Sequence, residues 1–314
     1  MESMANRLKV CFVGLGSIGK RHLRNLVTVA KERGLELSID ALRHAPSSLG
    51  TDICALIDKE YYSAADLPNY DIIFICNPPQ KHYETLLALN EKAKWFFIEK
   101  PVFTRPLTDE ELVPFTDERK YYVACPLRHT KVYAALQKFV SENRIYSARA
   151  ICSSYLPDWR PDMDYRKIYS ASKDSGGVKI DLIHEFDYLF SLFGFPAESQ
   201  LFEDHVSQLE IKSSDVVSFL GRYPNNMALE LHLDYFGRIP QRYIELYTAD
   251  DVVNFDYLKS RIKFLKKGDV IELGEERNDF QIKELECFLD LVIGGVPNIN
   301  SVSYANEILR ELVS

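Results

Sequence analysis

The sequence has no long apolar run and no excess of positive charge. Its 314 residues include 38 lysines and arginines against 46 aspartates and glutamates, so the net charge at pH 7 is -8. No apolar stretch approaches the roughly 20 residues that a transmembrane helix needs. An acidic chain without a run of basic residues lacks the charge pattern of a nucleic-acid-binding protein. We therefore predict neither a nucleic-acid nor a membrane partner.

Cysteines are few, and no two of them form a Cys-x-x-Cys pair. Their scatter argues against a disulfide framework and against a zinc site. Several fall inside apolar runs, as buried thiols in a reducing compartment do, and no signal-peptide core follows the polar N-terminus. We predict a cytoplasmic protein without a metal. The six are Cys11, Cys54, Cys76, Cys125, Cys152 and Cys287.

The length and the order of patterns predict two domains. A chain of 314 residues is longer than one core usually organises. Strand and helix patterns alternate up to about residue 125, which is typical of a doubly wound parallel sheet. From about residue 200 to 273 apolar and polar residues alternate between turn signals. That pattern predicts a meandering antiparallel sheet with one buried face. The wet or aromatic face of such a sheet is a common oligomer interface, so we predict a homo-oligomer, either a dimer or a tetramer.

A glycine-rich turn separates the first predicted strand, 8–13, from a helical pattern over 20–33. Its sequence is Gly-Leu-Gly-Ser-Ile-Gly. In this context the first glycine permits a tight turn, the second lets a pyrophosphate approach, and the third lets the helix pack on the strand. The helix N-terminus adds N–H groups and partial positive charge. A glycine turn without a ligand is the alternative. The predicted cofactor contacts here are Gly14, Gly16, Ser17, Ile18 and Gly19.

The end of the second predicted strand, 35–42, bears on the choice of cofactor. An NAD site usually has an acidic residue there, bonded to the ribose 2′-hydroxyl. This chain has Arg43 and His44, while Asp40 lies within the strand. Because arginine suits a 2′-phosphate, we favour NADP. The alternative is that Arg43 stacks on adenine or is solvated, and that the protein uses NAD.

Two further strand patterns end in polar residues. The strand 71–76 leads into Asn-Pro-Pro and a helix, and the short apolar strand 95–98 ends in Glu-Lys-Pro. The carboxyl ends of strands line the ligand crevice of an open α/β sheet, and a lysine is costly to bury unless it is paired or used. A strand exit with solvated charges is the ordinary alternative. The predicted cofactor contacts are Cys76, Asn77, Pro78, His82, Glu99 and Lys100.

Two segments of the second half favour a substrate site. A helical pattern over 175–193 places Asp181, His184 and Tyr188 on one polar stripe, a grouping suited to proton transfer. A polar, aromatic segment over 157–174 is typical of a lid or binding loop, and a solvated connector is its alternative. We predict that its Trp159, Arg160 and Tyr165 contact substrate.

Four motifs, in this order, resemble the Gfo/Idh/MocA family, named for glucose–fructose oxidoreductase and inositol dehydrogenase. The resemblance implies a Rossmann domain, here 1–125, followed by a domain with a large open antiparallel sheet, here 126–314. It also implies NAD(P)-dependent oxidation or reduction of sugars, cyclitols or nucleotide-linked sugars, with the lysine of Glu-Lys-Pro beside the nicotinamide and often before a cis proline. The motifs cover residues 14–19, 77–82, 99–101 and 176–184.

Two positions depart from the family pattern. Asp181 lies three residues before His184, where many members have four. Pro126-Leu127-Arg128 stands where Asn-x-Arg is frequent, so that Arg128 alone matches, and we carry it over as a substrate contact.

The resemblance and the residues together give a hypothesis for the reaction. Lys100 holds the reacting oxygen, His184 relays the proton and Asp181 orients one of them, and all three contact substrate as the two halves of the chain converge over one dinucleotide. The sequence leaves open which of Lys100 and His184 transfers the proton. It also leaves two alternatives to a dehydrogenase: a catalytically silent NAD(P)-binding sensor or scaffold, and an enzyme that uses NAD transiently without net redox change.

Overall fold

The computed structural model describes residues 7–46, 49–173 and 176–313, and these form two compact units. The first unit contains the chain up to Cys125 together with Gln281–Arg310. The second contains Pro126–Phe280 and the few residues after Arg310. No helix among the described residues is both long enough and apolar enough to cross a membrane.

Up to residue 125 the elements follow one another in the order that the patterns predict, with one exception. The exception is β3, which falls in a segment, 45–70, that we predict to be irregular apart from a short helix. The elements up to residue 125 are β1 (Arg7–Val13), α1 (Ser17–Glu32), β2 (Glu36–Leu42), α2 (Thr51–Cys54), β3 (Lys59–Tyr61), β4 (Tyr70–Ile75), α3 (His82–Leu89), β5 (Ala93–Ile98), α4 (Asp109–Leu112) and β6 (Tyr121–Val123).

The remaining elements begin with a helix and continue through eight strands and four more helices. A π-helical turn, Asp290–Gly294, follows the first of the last two helices. These elements are α5 (Lys131–Glu142), β7 (Ser147–Tyr155), α6 (Val178–Asp181), α7 (Ile183–Phe193), β8 (Glu198–Asp204), β9 (Val216–Arg222), β10 (Ala228–Asp234), β11 (Phe236–Tyr247), β12 (Val252–Asp256), β13 (Arg261–Phe264), β14 (Val270–Glu272), α8 (Arg277–Leu289) and α9 (Val302–Glu311).

The first unit is built on a six-stranded parallel sheet in the order β3-β2-β1-β4-β5-β6. This order confirms the predicted doubly wound Rossmann domain. Neighbouring strands place Phe12, Phe74, Phe97 and Tyr122 in one row, with successive ring centroids 4.5, 4.9 and 5.4 Å apart. Stacked aromatic pairs of this kind add to the energy of burial. The row forms the middle of the core of the first unit. It aligns the ends of these four strands with one another.

The C-terminal helices divide the chain differently from the predicted boundary at residue 126. Phe288 of α8 packs on Phe74, Phe97 and Tyr122, with centroids 5.9, 5.3 and 5.5 Å away. Leu285 and Leu289 of the same helix belong to the same core cluster. Residues 281–310 therefore complete the first unit. The prediction of one continuous second domain over 126–314 is wrong in this respect, because a helix can return to cover a sheet face from any distance along the chain.

The second unit contains an eight-stranded sheet in the order β14-β13-β12-β11-β7-β10-β9-β8. All of its neighbouring pairs are antiparallel except β7 and β10, which run parallel. The predicted large sheet is confirmed, and the paired strands within 200–273 are antiparallel as predicted. The sheet as a whole is mixed, because β7, which precedes that segment, lies between β11 and β10 and runs parallel to β10. The alternation of apolar and polar residues indicates that one face of the sheet is buried. It does not indicate whether a partner strand runs parallel or antiparallel.

The helix predicted over 175–193 is interrupted in the structure. Its first residue, Ser175, lies outside the described residues. Leu182, with φ -97° and ψ 24°, separates α6 from α7. Tyr188 is 1% exposed and packs against Tyr133 and Tyr257, so the predicted outward polar stripe of Asp181, His184 and Tyr188 is wrong. The break at Leu182 shifts the phase of the helix, which a single helical wheel does not anticipate.

Candidate active site

The glycine loop joins three strand ends at the carboxyl edge of the first sheet. The Gly14 N–H donates to the Leu42 carbonyl at the end of β2, over 3.1 Å. Gly14 has φ +90°, and a Cβ there would lie 2.9 Å from the Asn77 nitrogen. A Cβ on Gly19 would lie 2.3 Å from the Gly14 carbonyl oxygen. Both positions therefore require glycine, because backbone occupies the space that a side chain would fill.

The start of α1 has room for an anion. A Cβ built on Gly16 meets nothing within 4 Å, so this side of the loop is open. The helix begins at Ser17 without a capping side chain and without an acidic residue in its first turn. Ser17 is exposed and Ile18 is partly buried against the core. A sixteen-residue helix with an uncapped N-terminus attracts negative charge, and phosphate groups bind at such ends.

The turn after β4 is fixed by His82. Its Nε2 lies 2.9 Å from the Asn77 carbonyl and its Nδ1 lies 3.1 Å from the Val102 carbonyl. Burial lowers the pKa of His82, and the two carbonyl oxygens offset this only in part. At 1% exposure, His82 braces the loops after β4 and β5. We interpret it as a support for the predicted cofactor contacts, because its ring is enclosed.

The predicted cofactor contacts Cys76, Asn77 and Pro78, which precede His82, differ in their surroundings. The Asn77 Nδ2 donates to the Thr85 hydroxyl, whereas its Oδ1 is buried with no hydrogen-bond partner among the described residues. Cys76 is 8% exposed, and burial raises the pKa of its thiol well above the usual value. Pro78 precedes a short 3₁₀ turn, Pro79–Lys81. Asn77 thus offers an acceptor to a ligand, and Cys76 contributes packing and backbone.

The Glu-Lys-Pro segment is tied to α1 through a histidine that the sequence analysis does not select. The His22 imidazole, 1% exposed, is hydrogen-bonded through Nε2 to the Glu99 carboxylate. The other oxygen of Glu99 accepts from the Lys100 N–H over 3.2 Å. Burial alone would raise the pKa of Glu99, but the His22 bond and the charge of Lys100 outweigh it and lower the pKa. The Lys100–Pro101 peptide bond is cis.

The end of β2 carries an ion pair. The Arg43 guanidinium donates through Nη1 to the Glu60 carboxylate of β3, and the Tyr62 hydroxyl donates to the same carboxylate. Asp40, within β2, accepts from the Tyr70 hydroxyl over 2.8 Å. The Glu60 carboxylate that is bonded to Arg43 therefore comes from the neighbouring strand.

In the second unit an aromatic group surrounds Asp181. Its carboxylate, 4% exposed, accepts from the Tyr235 hydroxyl over 2.5 Å. The Trp159 ring meets the Tyr235 ring edge-on, with centroids 5.3 Å apart. Burial, and then the Asp181 charge, raise the pKa values of Tyr235 and Tyr169, while the Arg160 charge opposes the change in Tyr169. Trp159, Arg160 and Asp181 thus lie in the same part of the second unit, and their contact with substrate stays a prediction.

Other predicted substrate contacts have local partners. Arg128 forms two hydrogen bonds with the Asp187 carboxylate of α7, at 2.9 and 2.7 Å, and the two side chains are only 5% and 10% exposed. Tyr165 accepts at its hydroxyl from the Glu210 N–H over 3.3 Å. His184 is the second residue of α7 and is partly buried. The charge of Arg128 is therefore largely neutralised inside its own unit.

The comparisons with known proteins agree with this arrangement. Residues 8–125 match the family model described as the GFO_IDH_MocA oxidoreductase family with an NAD-binding Rossmann fold. The match covers most of the first unit up to Cys125, and over this segment the chain is similar to the Gfo/Idh/MocA family. The predicted resemblance to this family is thereby confirmed over residues 8–125, and with it an NAD-binding Rossmann fold.

Curated proteins that are similar to this chain include dehydrogenases of cyclitols. The myo-inositol 2-dehydrogenase of Thermotoga maritima is 24% identical over 206 residues, 63% of this chain and 58% of the relative. The scyllo-inositol 2-dehydrogenase (NAD(+)) of Bacillus subtilis is 24% identical over 198 residues, 61% of this chain and 55% of the relative. The matched part thus spans little more than half of these relatives.

Solved structures resemble the fold of this chain over nearly its whole length. A levoglucosan dehydrogenase in complex with NADH has a TM-score of 0.83 at 17% identity, covering 98% of this chain and 97% of the other. A UDP-N-acetylglucosamine 3-dehydrogenase from Acidithiobacillus ferrooxidans has a TM-score of 0.74 at 16% identity, covering 98% and 96%. At these identities the likeness establishes the fold.

Sequence reasoning missed several residues that shape these surroundings. His22 had a signal, because it lies among Gly19, Leu23 and Leu26 on the buried face of α1, where an imidazole needs a partner. Tyr235 had a weaker one, as a tyrosine at the end of a predicted strand. Glu60 had none, because β3 contains only three residues. The predicted convergence of Lys100 and His184, which belong to different units, stays a prediction.

Proposed function

We propose that this protein is an NAD(P)-dependent dehydrogenase or reductase. It transfers a hydride between the nicotinamide and a carbinol or carbonyl carbon of a sugar, a cyclitol or a nucleotide-linked sugar. The observation that carries the proposal is the bond between His22 and Glu99, which ties Lys100 to the helix that starts at the glycine loop. A cation is thereby held at the sheet edge where the dinucleotide motif lies.

The residues of the first unit fit a dinucleotide. The open side of Gly16 and the uncapped N-terminus of α1 suit a pyrophosphate, and the buried Asn77 Oδ1 offers an acceptor. A bound nicotinamide cofactor supplies the hydride chemistry. Arg43 favours a 2′-phosphate, as in NADP, whereas the Glu60 carboxylate bonded to it disfavours one. These opposing charges are why the proposed activity is written for NAD(P).

The proposed proton transfer uses three residues. Lys100 holds the reacting oxygen, and His184 donates or accepts the hydroxyl proton, with the two roles interchangeable. Asp181 orients the group that carries the proton, and the Tyr235 hydroxyl holds one oxygen of its carboxylate. An oriented carboxylate beside a proton-transfer group is a recurrent arrangement in enzymes.

The second unit supports a carbohydrate-type substrate. Trp159, 37% exposed, presents an aromatic face of the kind that packs on the apolar side of a sugar ring. Arg160 and Tyr165 add a charge and a hydroxyl in the same segment. The inositol dehydrogenases among the relatives support a cyclitol or sugar as the class to test first.

The assembly and the location of the protein are also proposals. Phe202 and Leu220, each 54% exposed, lie on one face of the second sheet, because Phe202 is in register with Ser218. Exposed apolar residues on a sheet face support a homo-oligomer, either a dimer or a tetramer. Light scattering of the purified protein decides between them and the monomer. All six cysteines are free thiols, which supports a reducing compartment.

Absorbance at 340 nm tests the activity. The protein is incubated with NAD or NADP and a panel of cyclitols, sugars and nucleotide sugars, and separately with NADH or NADPH and the corresponding ketones. We expect Lys100→Ala and His184→Ala to lower turnover by about 10²- to 10⁴-fold. Lys94→Ala, on the strand that precedes Lys100, and His232→Ala, on the second sheet, serve as matched controls.

Three outcomes separate the candidate functions. Wild-type turnover in both Lys100→Ala and His184→Ala would show that the assignment of roles is wrong. Binding of NADH without turnover on any substrate would favour a sensor or scaffold. Cofactor that stays bound and is not consumed during substrate conversion would favour transient redox.

A further inference from the structure

The charge at the end of β2 is shared with the edge strand of the first sheet. Glu60 of β3 is in parallel register with Ala41 of β2, so the Glu60 side chain and that of Arg43, two residues further along, project to the same face. The Arg43 and Glu60 side chains are 8% and 30% exposed. The hydrogen bonds from Arg43 and Tyr62 lower the pKa of Glu60, which is therefore ionised at neutral pH.

This ion pair lies where a dinucleotide fold distinguishes its cofactors. Leu42 accepts from the Gly14 N–H, so Arg43 begins directly beside the glycine loop. In Rossmann folds an acidic residue at this strand end bonds the ribose 2′-hydroxyl, and an arginine nearby accommodates a 2′-phosphate. Asp40 lies within β2, before its end, and accepts a hydrogen bond from the Tyr70 hydroxyl of β4. Glu60 supplies from β3 the carboxylate that β2 itself does not place there.

We propose that Glu60 is the residue that sets the cofactor preference of this protein, by neutralising Arg43 and disfavouring a 2′-phosphate. The inference rests on the proposed function, since it requires a dinucleotide on the glycine loop. A 2′-phosphate meets a pair of zero net charge, with a carboxylate that repels it. A ribose 2′-hydroxyl meets an acceptor. The preference for NADP that Arg43 alone predicts is therefore reversed, and the wild-type protein binds NADH at least as tightly as NADPH.

A charge-removing substitution tests the inference. Glu60→Gln keeps the size of the side chain and removes its charge, so the Arg43 guanidinium is no longer neutralised. We expect the ratio of NADPH to NADH affinity, measured by fluorescence titration, to rise by about tenfold. Glu36→Gln, an exposed residue at the opposite end of β2, changes net charge equally and leaves the ratio unchanged. Adding Arg43→Gln to Glu60→Gln abolishes the gain.

A competition experiment on the unaltered protein covers the case in which Glu60→Gln does not fold. ADP and adenosine 2′,5′-bisphosphate are each titrated against bound NADH. We expect the bisphosphate to displace NADH no better than ADP does. Displacement by the bisphosphate at a tenfold lower concentration would overturn the inference.

The outcomes distinguish this inference from the proposed function. If the wild-type protein binds both nucleotides and Glu60→Gln changes their ratio no more than Glu36→Gln does, the role of Glu60 is refuted and the dehydrogenase proposal stands. A tenfold preference of the wild-type protein for NADPH would likewise refute the role of Glu60 and leave the dehydrogenase proposal standing. If the wild-type protein binds neither NADH nor NADPH, the proposed function fails, and the inference fails with it.

Discussion

The His22 imidazole of α1 and the Glu99 carboxylate just after β5 form a partly buried hydrogen bond across 77 residues of sequence. The His22 Nδ1 is buried without a hydrogen-bond partner among the described residues, which assigns the ring proton to Nε2. Nε2–H therefore donates to Glu99. The bond joins the helix of the glycine loop to the strand end that carries Lys100, so one contact positions both halves of the predicted cofactor site in the first unit.

The first prediction concerns the pH dependence of this bond. The folded protein lowers the pKa of Glu99 below its ordinary value of 4.5. A carboxyl with a lowered folded pKa contributes stability that is fully present above the unfolded pKa and is lost as pH falls through the folded pKa. We expect Glu99→Gln to lower the free energy of unfolding by about 1.5–3 kcal/mol at pH 7, and this difference from wild type to shrink below pH 4.5.

Urea unfolding at a series of pH values measures this difference. Glu84→Gln, on the exposed face of α3, is the matched control and is expected to cost less than about 0.5 kcal/mol at any pH. A Glu99→Gln difference that stays constant from pH 7 to pH 3 would mean that the charge of Glu99 is not what the folded protein stabilises.

The second prediction separates ligand binding from folding at the glycine loop. A methyl group on Gly16 has open space around it, whereas one on Gly19 would collide with the Gly14 carbonyl. We expect Gly16→Ala to unfold at the wild-type urea concentration but to bind NADH about tenfold more weakly, because the methyl group occupies the space for the pyrophosphate. Gly19→Ala is expected to lose stability as well as binding.

Gly294→Ala is the control for Gly16→Ala, since it is also exposed and a Cβ there also meets nothing within 4 Å. Fluorescence titration and urea unfolding on the same samples provide both readouts. Undiminished NADH affinity in Gly16→Ala would place the nucleotide elsewhere than on this loop.

The contrast between Gly16 and Glu60 illustrates what the sequence could predict. The glycine loop, the strand before it and the helix after it are local, and each glycine has a steric reason that a short window contains. The strand that ends in Glu-Lys-Pro was also predictable, because a short window of sequence contains its whole pattern. Glu60 lies in a strand of three residues, too short for an alternating pattern, and its partner becomes visible only when β3 pairs with β2.

Longer-range relationships escaped prediction because burial patterns do not identify partners. Tyr235 bonds Asp181 across 54 residues of sequence, and nothing in either segment specifies the other. Phe288 is predictable as a buried aromatic residue on a helix, but the sequence does not indicate which sheet it covers. Leu182 breaks a continuous helical pattern, although neither a proline nor a glycine stands at the break.

The third prediction addresses Arg128, for which a substrate contact was expected from the family resemblance. Its bidentate pair with Asp187 is nearly buried, and removal of one partner from a buried ion pair leaves an uncompensated charge. We expect Arg128→Met and Asp187→Asn each to lower the free energy of unfolding by about 3–5 kcal/mol. The double variant should lose less than the sum, because the second substitution removes the charge that the first leaves unpaired.

A double-mutant cycle in urea measures this coupling, with the exposed pair Arg149–Glu230 as the control that shows little of it. Additive losses at Arg128 and Asp187, together with a raised KM in Arg128→Met, would instead favour the substrate contact.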